Sequence, residues 1–284
     1  MTRKMLATIF VCSAFLILRS EKPGLTQTAT DVDRKLTGIL GQFDRADWES
    51  RAQSFYDLFT IAVPGGLGGR TTLIPSALSS LSRQDPERKG QMSLALIRLL
   101  EKENAVSHSP INPASEEYSN YRGDLIATVA ALKDKRGLNS LLDNILTGNL
   151  AVRGLAALGR DSLGRILEIA SANTPETGEE MARRTAAARV LSRMLDPDIV
   201  QLDETSRNAI KVGLLHASRD EASWVRLSAI EGLSRIPDPD VTVTLRSLAE
   251  RDPFSRLDPT GHTSYPVRDA ARKALAGRAA PTTK

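Results

Sequence analysis

The feature that most constrains the fold is a repeat in the C-terminal third of the chain. Arg184, Arg226 and Arg268 recur at equal steps of 42 residues, and each is followed by Ala at +3 and Leu at +7. A second repeat has the same spacing, because the sequence of residues 190–200 (VLSRMLDPDIV) is nearly copied at residues 232–242 (GLSRIPDPDVT). Repeats of this length in a helical pattern are typical of stacked helix pairs, each of which buries its apolar face against the next.

The apolar residues follow a helical period through most of the chain. We found no stretch of five residues that alternates as a strand would, so the sequence predicts an all-α protein. The expected architecture is a right-handed α-solenoid of about six antiparallel helix pairs spanning residues 32–278. The predicted helices cover residues 32–43, 44–62, 71–82, 85–104, 116–133, 134–147, 150–158, 162–172, 179–195, 205–217, 223–236, 239–251 and 266–276.

The repeat resembles the HEAT repeats. The residues that carry this resemblance are the segment Asp220–Arg226 with Ala229 and Leu233, and Val267-Arg268 with Ala271 and Leu275; Arg184 with Ala187 and Leu191 fits the pattern, and Val152-Arg153 and Tyr121-Arg122 fit it more loosely. The resemblance implies a scaffold and no particular activity. It also implies a ladder between neighbouring repeats, in which an Asp in the turn lies six residues before the Arg. Only Asp220 and Arg226 have that spacing, since positions 178 and 262 are Gly and His, so we expect an incomplete ladder.

The N-terminus has the pattern of an export signal. Arg3 and Lys4 precede a 14-residue apolar run in the segment Met1–Ser20. Because about 20 apolar residues are needed to cross a bilayer, the run suits a secretory signal, and an uncleaved anchor is the alternative. The lone cysteine, Cys12, lies inside this run, so the exported chain has no disulfide and the pattern does not fit a lipoprotein. We therefore expect a periplasmic or extracellular protein, with a linker at residues 21–31 and a frayed tail at residues 279–284.

The charge of the remaining chain argues against a nucleic-acid partner. Three of the 38 basic residues and none of the 34 acidic residues lie in the first 20 positions, so the remainder carries a net charge of about +1. A nucleic-acid-binding domain usually has a marked basic excess, and an aromatic content of 4% leaves few surfaces on which bases could stack.

The residues suited to catalysis do not form a convincing reaction centre. The three histidines, His108, His216 and His262, lack any paired metal-binding spacing. His262 lies between Asp258 and Ser264, so a hydrolase that uses the loop Asp252–Tyr265 remains an alternative.

Three other motifs are better explained by local structure. The glycine-rich loop of residues 64–70 lacks the Lys and Ser/Thr of a phosphate-binding loop, and its role is open. Asp161-Ser162 favours a helix cap over an esterase motif, and the turns at Asp196 and Asp238 lack the further ligands of a calcium loop. We assign no catalytic, cofactor-binding or metal-binding residue and expect no cofactor.

The sequence thus predicts a protein that is not an enzyme. The expected function is an interaction scaffold of the cell envelope that holds a protein or peptide partner on a concave face lined by the second helices. A membrane contact is expected only through an uncleaved N-terminus. A nucleic-acid-binding helical repeat is the least favoured alternative, and the sequence does not indicate the oligomeric state.

Overall fold

A computed structural model describes residues 29–62, 86–107, 115–172, 178–257 and 261–279. Within these ranges the protein contains twelve α-helices, and the all-α prediction is confirmed. The helices are α1 Ala29–Gln42, α2 Trp48–Ala62, α3 Pro86–Ser107, α4 Glu116–Leu132, α5 Leu138–Leu142, α6 Asn149–Ala157, α7 Arg160–Ala170, α8 Gly178–Met194, α9 Glu204–Ala217, α10 Ser223–Leu233, α11 Pro239–Arg251 and α12 Pro266–Ala279. The signal segment, most of the linker, the glycine-rich loop and the predicted helix 71–82 lie outside the described residues.

The helices pack as six successive pairs, which is the solenoid that the repeat predicted. Helices α1 and α2 pack together, and so do the five later pairs up to α11 and α12. The second helix of each pair also contacts the second helix of the next pair, in an unbroken series from α2 to α12. These even-numbered helices are called the motif layer below, and the odd-numbered ones the first-helix layer.

Small side chains at the repeated positions let the helices approach closely. Ala187, Ala229 and Ala271 are fully buried, as the spacing of the repeat predicted. Gly232 shows how tight this packing is, because a Cβ atom there would lie 2.6 Å from a methyl group of Leu214 on the neighbouring α9. The core therefore runs continuously through the stack, since each pair buries its apolar face against its neighbours.

The all-α fold has one local exception that the sequence analysis did not predict. The connection between α11 and α12 contains an antiparallel hairpin. Its two strands, Arg256–Leu257 and Thr263–Ser264, have two residues each. Both strands are exposed or half-buried, so the hairpin lies outside the core and leaves the solenoid intact.

Two predicted features of helix termini also had different outcomes. The predicted cap Asp161 is not the N-cap of α7, which begins at Arg160 after Gly159, a residue with φ of 57°. Asp238 does cap α11, because its carboxylate accepts hydrogen bonds from the backbone N–H groups of Asp240 and Val241. Its sequence copy Asp196 likewise accepts from the N–H group two residues later, that of Asp198, but a turn and not a helix follows, so the two copies of the repeat differ in structure.

An arginine ladder joins the last three motif helices. The Nε group of Arg184 donates to the carboxylate of Asp220 at 2.8 Å, and the Nε group of Arg226 donates to that of Asp252 at 2.7 Å. Arg226 also donates to the carbonyl of Asp220, and Arg268 donates to the carbonyl of Asp252. Asp252 therefore occupies the place of Asp220 one repeat later, so the gap predicted at position 262 is wrong.

Arginines of the N-terminal helix pairs make similar hydrogen bonds, but their side-chain partners differ. Arg51 donates through Nη1 to the carbonyls five and six residues before it, as Arg226 does, and its Nε group donates to Glu103. Arg122 donates to the amide oxygen of Asn144 at 2.7 Å, so a neutral side chain replaces the carboxylate at this rung.

Candidate binding face

One face of the motif layer remains open to solvent along the stack. Each motif helix buries most of its surface against its own pair and its two neighbours, which leaves one outward stripe. We call this surface the motif face. The exposed side chains on its stripes from α6 to α12 are Leu150, Arg153, Arg189, Trp224, Glu231, Asp269 and Lys273.

Trp224 is the largest of the exposed side chains named on the motif face. It lies in the first turn of α10 and is 49% exposed. Trp224 and Glu231 are seven residues apart, so both belong to the outward stripe of the helix. The exposed indole ring of Trp224 costs solvation free energy, and tryptophan is among the residues most enriched at binding hot spots.

Helix α6 is rotated relative to the other motif helices. Its stripe consists of Leu150, Arg153 and Ala157, whereas α10 exposes the positions two before and five after its ladder arginine. In this orientation Gly154 lies at the contact with α4, where a Cβ atom would lie 2.5 Å from the Cβ atom of Ala130. Arg153 consequently points outward and joins no rung, so the loose match of Val152-Arg153 to the ladder pattern is wrong for this arginine.

A groove lies on the motif face between α4 and α6, and we call it the α4–α6 groove. Its volume is about 350 Å³. The floor and walls consist of small or aliphatic side chains, and the turn after α8 closes one side. The lining residues are Ala127, Ala130, Ala131, Lys133, Leu150, Arg153, Gly154, Ala157, Asp198 and Ile199. Leu150 is 40% exposed, so an apolar surface inside the groove is open to a partner.

A second cleft, of about 320 Å³, is more polar. The two copies of the repeated turn and helix α9 form it, and Lys211 and Asp238 make a salt bridge of 2.9 Å at its edge. This ion pair raises the pKa of Lys211 and lowers that of Asp238, in both cases mainly through their mutual hydrogen bond. The charges that line this cleft are therefore partly engaged with each other.

Glu103 is the centre of a buried cluster of ionisable side chains between the N-terminal helices α2, α3 and α4. Its side chain is fully buried and accepts hydrogen bonds from Arg51 at 2.6 Å and from the hydroxyls of Tyr118 and Tyr121. Burial, followed by the nearby carboxylate, raises the pKa of both tyrosines. None of these side chains lines the two clefts described above, and every one has its partner inside the cluster. The arrangement fits a structural clamp between α2, α3 and α4.

The residues considered for catalysis are only partly described. His108 and Asp258 lie outside the described residues, so the Asp258, His262 and Ser264 arrangement stays untested as a whole. Ser264 donates its hydroxyl to the carbonyl of Arg256 across the hairpin, and His262 is exposed beside it. His216 is exposed in the last turn of α9. In the part of the chain that the structure describes, no group of three or more metal-binding side chains comes together.

Sequence reasoning missed Arg153, Asp252 and Glu103 in their actual roles. Asp252 was missed because the connection before α12 contains ten additional residues. They place Asp252 16 positions before Arg268, whereas the pattern requires six. Glu103 contacts an arginine 52 positions away, and no local pattern links them. The residue after Arg153 gave no signal, because Arg122, which does join a rung, is also followed by a glycine, Gly123.

Comparison with known proteins leaves the family open. No family model matches the chain, and no curated protein matches it. Among solved structures the chain is similar to a computationally designed armadillo repeat protein, described as made for modular peptide recognition. The two are 14% identical, over 85% of this chain and 99% of the other, with a TM-score of 0.43. Among the described helices, none has the length and apolarity that crossing a membrane requires.

Proposed function

We propose that the protein is a non-catalytic scaffold that binds a protein or an extended peptide on the motif face. The observation that carries this proposal is Trp224, half-exposed on the outward stripe of α10. Leu150 adds an exposed aliphatic side chain two motif helices away. Large apolar side chains set among charged ones match the composition of protein interfaces, where a few anchors supply most of the binding energy.

The shape of the solenoid supports an extended partner. Successive motif helices present equivalent stripes, so a chain lying across them would meet one stripe per repeat. The motif face also carries both signs of charge, with Arg189 and Lys273 against Glu231 and Asp269. This mixture favours a protein partner over the uniformly acidic backbone of a nucleic acid.

The site of action that we propose is the cell envelope. The support is the N-terminal segment Met1–Ser20, with its basic start and its short apolar run. Fusion of the full chain to a reporter enzyme that is active only after export tests this location. We expect reporter activity, and its loss when Phe10 and Leu16 are both replaced by Asp. A reporter that is inactive with the unaltered chain would refute export.

Peptide selection followed by substitution tests the binding function. Peptides selected from a random library against the full chain should bind it in solution, and Trp224→Ala should weaken that binding by at least about thirtyfold, as expected for a tryptophan hot spot. Val243→Ala is the matched control, because Val243 is 63% exposed on α11 in the first-helix layer. Selected peptides that bind wild type and Trp224→Ala equally, or a failure to select any, would contradict the proposal.

A further inference from the structure

We propose that the α4–α6 groove binds an extended peptide segment in which a leucine-like side chain is followed by a carboxylate side chain. This inference rests on the proposed function and names the chemistry of one subsite on the motif face. The apolar side chain would lie against Leu150 and the alanines of the groove, and the carboxylate would pair with Arg153.

The first support is the state of Arg153. The other motif-position arginines, at 51, 122, 184, 226 and 268, each donate to a side chain or carbonyl of the structure. Arg153 is exposed at the rim of the groove, and in the part of the chain that the structure describes no carboxylate lies within salt-bridge distance of it. Its guanidinium therefore retains all its donors, and a guanidinium binds a carboxylate through two parallel hydrogen bonds.

The second support is the distribution of charge around the groove. Three charged residues line it: Lys133, Arg153 and Asp198. Lys133 is the C-cap of α4, with a left-handed φ of 52°, and its exposed side chain adds a second cation to the rim. Asp198 lies on the turn after α8, where its N–H group is bound by Asp196. The net charge of the lining is thus positive, which favours an acidic residue in the partner.

The third support is the apolar interior. Ala127, Ala131 and Ala157 present only methyl groups, so the groove has depth without a polar floor. Its volume of about 350 Å³ is near the lower end of typical ligand pockets, roughly 300–1,000 Å³. That space accommodates an aliphatic side chain and its backbone, and burial of such a side chain supplies affinity while the rim cations select its neighbour.

Methyl NMR titration of the full chain tests the inference with defined peptides. The probes are three amide-capped Gly/Ser peptides that differ only in a central Leu-Glu, Leu-Gln or Leu-Lys step. We expect the Leu-Glu peptide to shift the methyl signals of Leu150 and Ala157, with a Kd about fivefold lower than that of the Leu-Gln peptide, because one exposed charge pair contributes about that much. The preference should decrease as salt is raised.

Substitutions at exposed positions then distinguish an effect of the charge of Arg153 from an effect of altered folding. Arg153→Ala should equalise the Leu-Glu and Leu-Gln peptides, and Arg153→Glu should reverse the preference in favour of Leu-Lys. Arg246→Ala is the matched control, since Arg246 is an exposed arginine on α11 in the first-helix layer, and it should retain the preference for Leu-Glu.

Two results would overturn the inference. One is equal binding of the Leu-Glu and Leu-Gln peptides to the wild-type chain; the other is a preference that survives Arg153→Ala. If selected peptides still depend on Trp224 in that case, the groove inference fails and the scaffold function stands. If no peptide binds the motif face at all, both fail.

Discussion

At the scale of single residues, Glu103 is the side chain on which the N-terminal helices most depend. It is fully buried, and Arg51, its partner, is also buried. Glu103→Ala should lower the free energy of unfolding by about 3–5 kcal/mol, because it leaves a buried guanidinium without its counter-charge. Urea unfolding followed by circular dichroism measures this loss.

The double variant Arg51→Met with Glu103→Leu tests the cause of that loss. It removes both charges, so it should be more stable than Glu103→Ala although it removes more polar groups. Glu168→Ala, which breaks the exposed pair of Arg165 and Glu168, should cost less than about 1 kcal/mol. Both variants leave the two tyrosines without Glu103, so a double variant that is less stable than Glu103→Ala would show that the bonds from Arg51 to the carbonyls of Arg45 and Ala46 outweigh the cost of its unpaired charge.

Asp134 should make stability depend on acidity. Hydrogen bonds from Arg136, and then from Ser93, lower the pKa of the Asp134 carboxyl, although partial burial opposes them. Since the folded-state pKa lies below the unfolded value of about 3.9, the stabilisation is complete above that value and decreases as the pH falls toward the folded-state pKa. Asp134→Asn should therefore flatten the loss of stability below about pH 4. Denaturant midpoints at a series of pH values measure the slope, and an unchanged slope would contradict this assignment.

At the scale of helices, the crossing of α4 and α6 depends on Gly154. A Cβ atom at this position would lie 2.5 Å from the Cβ atom of Ala130 and 2.9 Å from its Cα atom, so the two helices would have to separate. Gly154→Ala should destabilise the protein by about 1–3 kcal/mol, as overpacking does. The matched control is Gly123→Ala in α4, where nothing lies within 4 Å of the added carbon. That change should stabilise the protein by about 0.5–1 kcal/mol through helix propensity. Thermal unfolding that ranks the two variants in the opposite order would contradict the close crossing.

The sequence did not predict best the helices that carry the repeated arginine, since α10 and α12 were each predicted with one end three residues from its actual place. The helix starting at Pro239 was predicted with its actual bounds, and Asp238 caps it with Pro in the first turn, but the same Asp-Pro-Asp sequence at Asp196 starts no helix. The hairpin at residues 256–264 was missed because its strands have two residues each, too few for an alternating pattern to show.

The sequence predicted which helices form the motif face but not which of their side chains are exposed on it. Spacing identifies which helices form the second layer, but the rotation of one helix decides which side chains that layer exposes. A shift of one residue turns a helical side chain by 100°, and in α6 this shift moves Arg153 from a ladder position to the solvent. The close contact of Gly154 with Ala130 goes with that rotation, and a tertiary contact of this kind cannot be read from the sequence.

At the scale of the whole molecule, a substitution that weakens one helix pair should destabilise that pair and its neighbours and leave the rest of the solenoid folded. Helix pairs contact chiefly their neighbours, so the stability of one pair depends on the pairs beside it and little on distant ones. Asp252 links α10 to α12, and Glu103 links α2, α3 and α4, at the two ends of the stack. These two carboxylates therefore allow each end of the solenoid to be weakened separately.

Hydrogen exchange followed by mass spectrometry should resolve the two ends. Asp252→Ala leaves Arg226 buried without its carboxylate, so we expect amide protection in α10–α12 to fall by at least about tenfold, while protection in α3 and α4 changes little. Glu103→Ala should give the reverse distribution. Since both variants remove one buried carboxylate, each serves as the control for the other. An equal loss of protection at both ends in either variant would mean that the stack unfolds as a single cooperative unit, and the nearest-neighbour account of its stability would then be wrong.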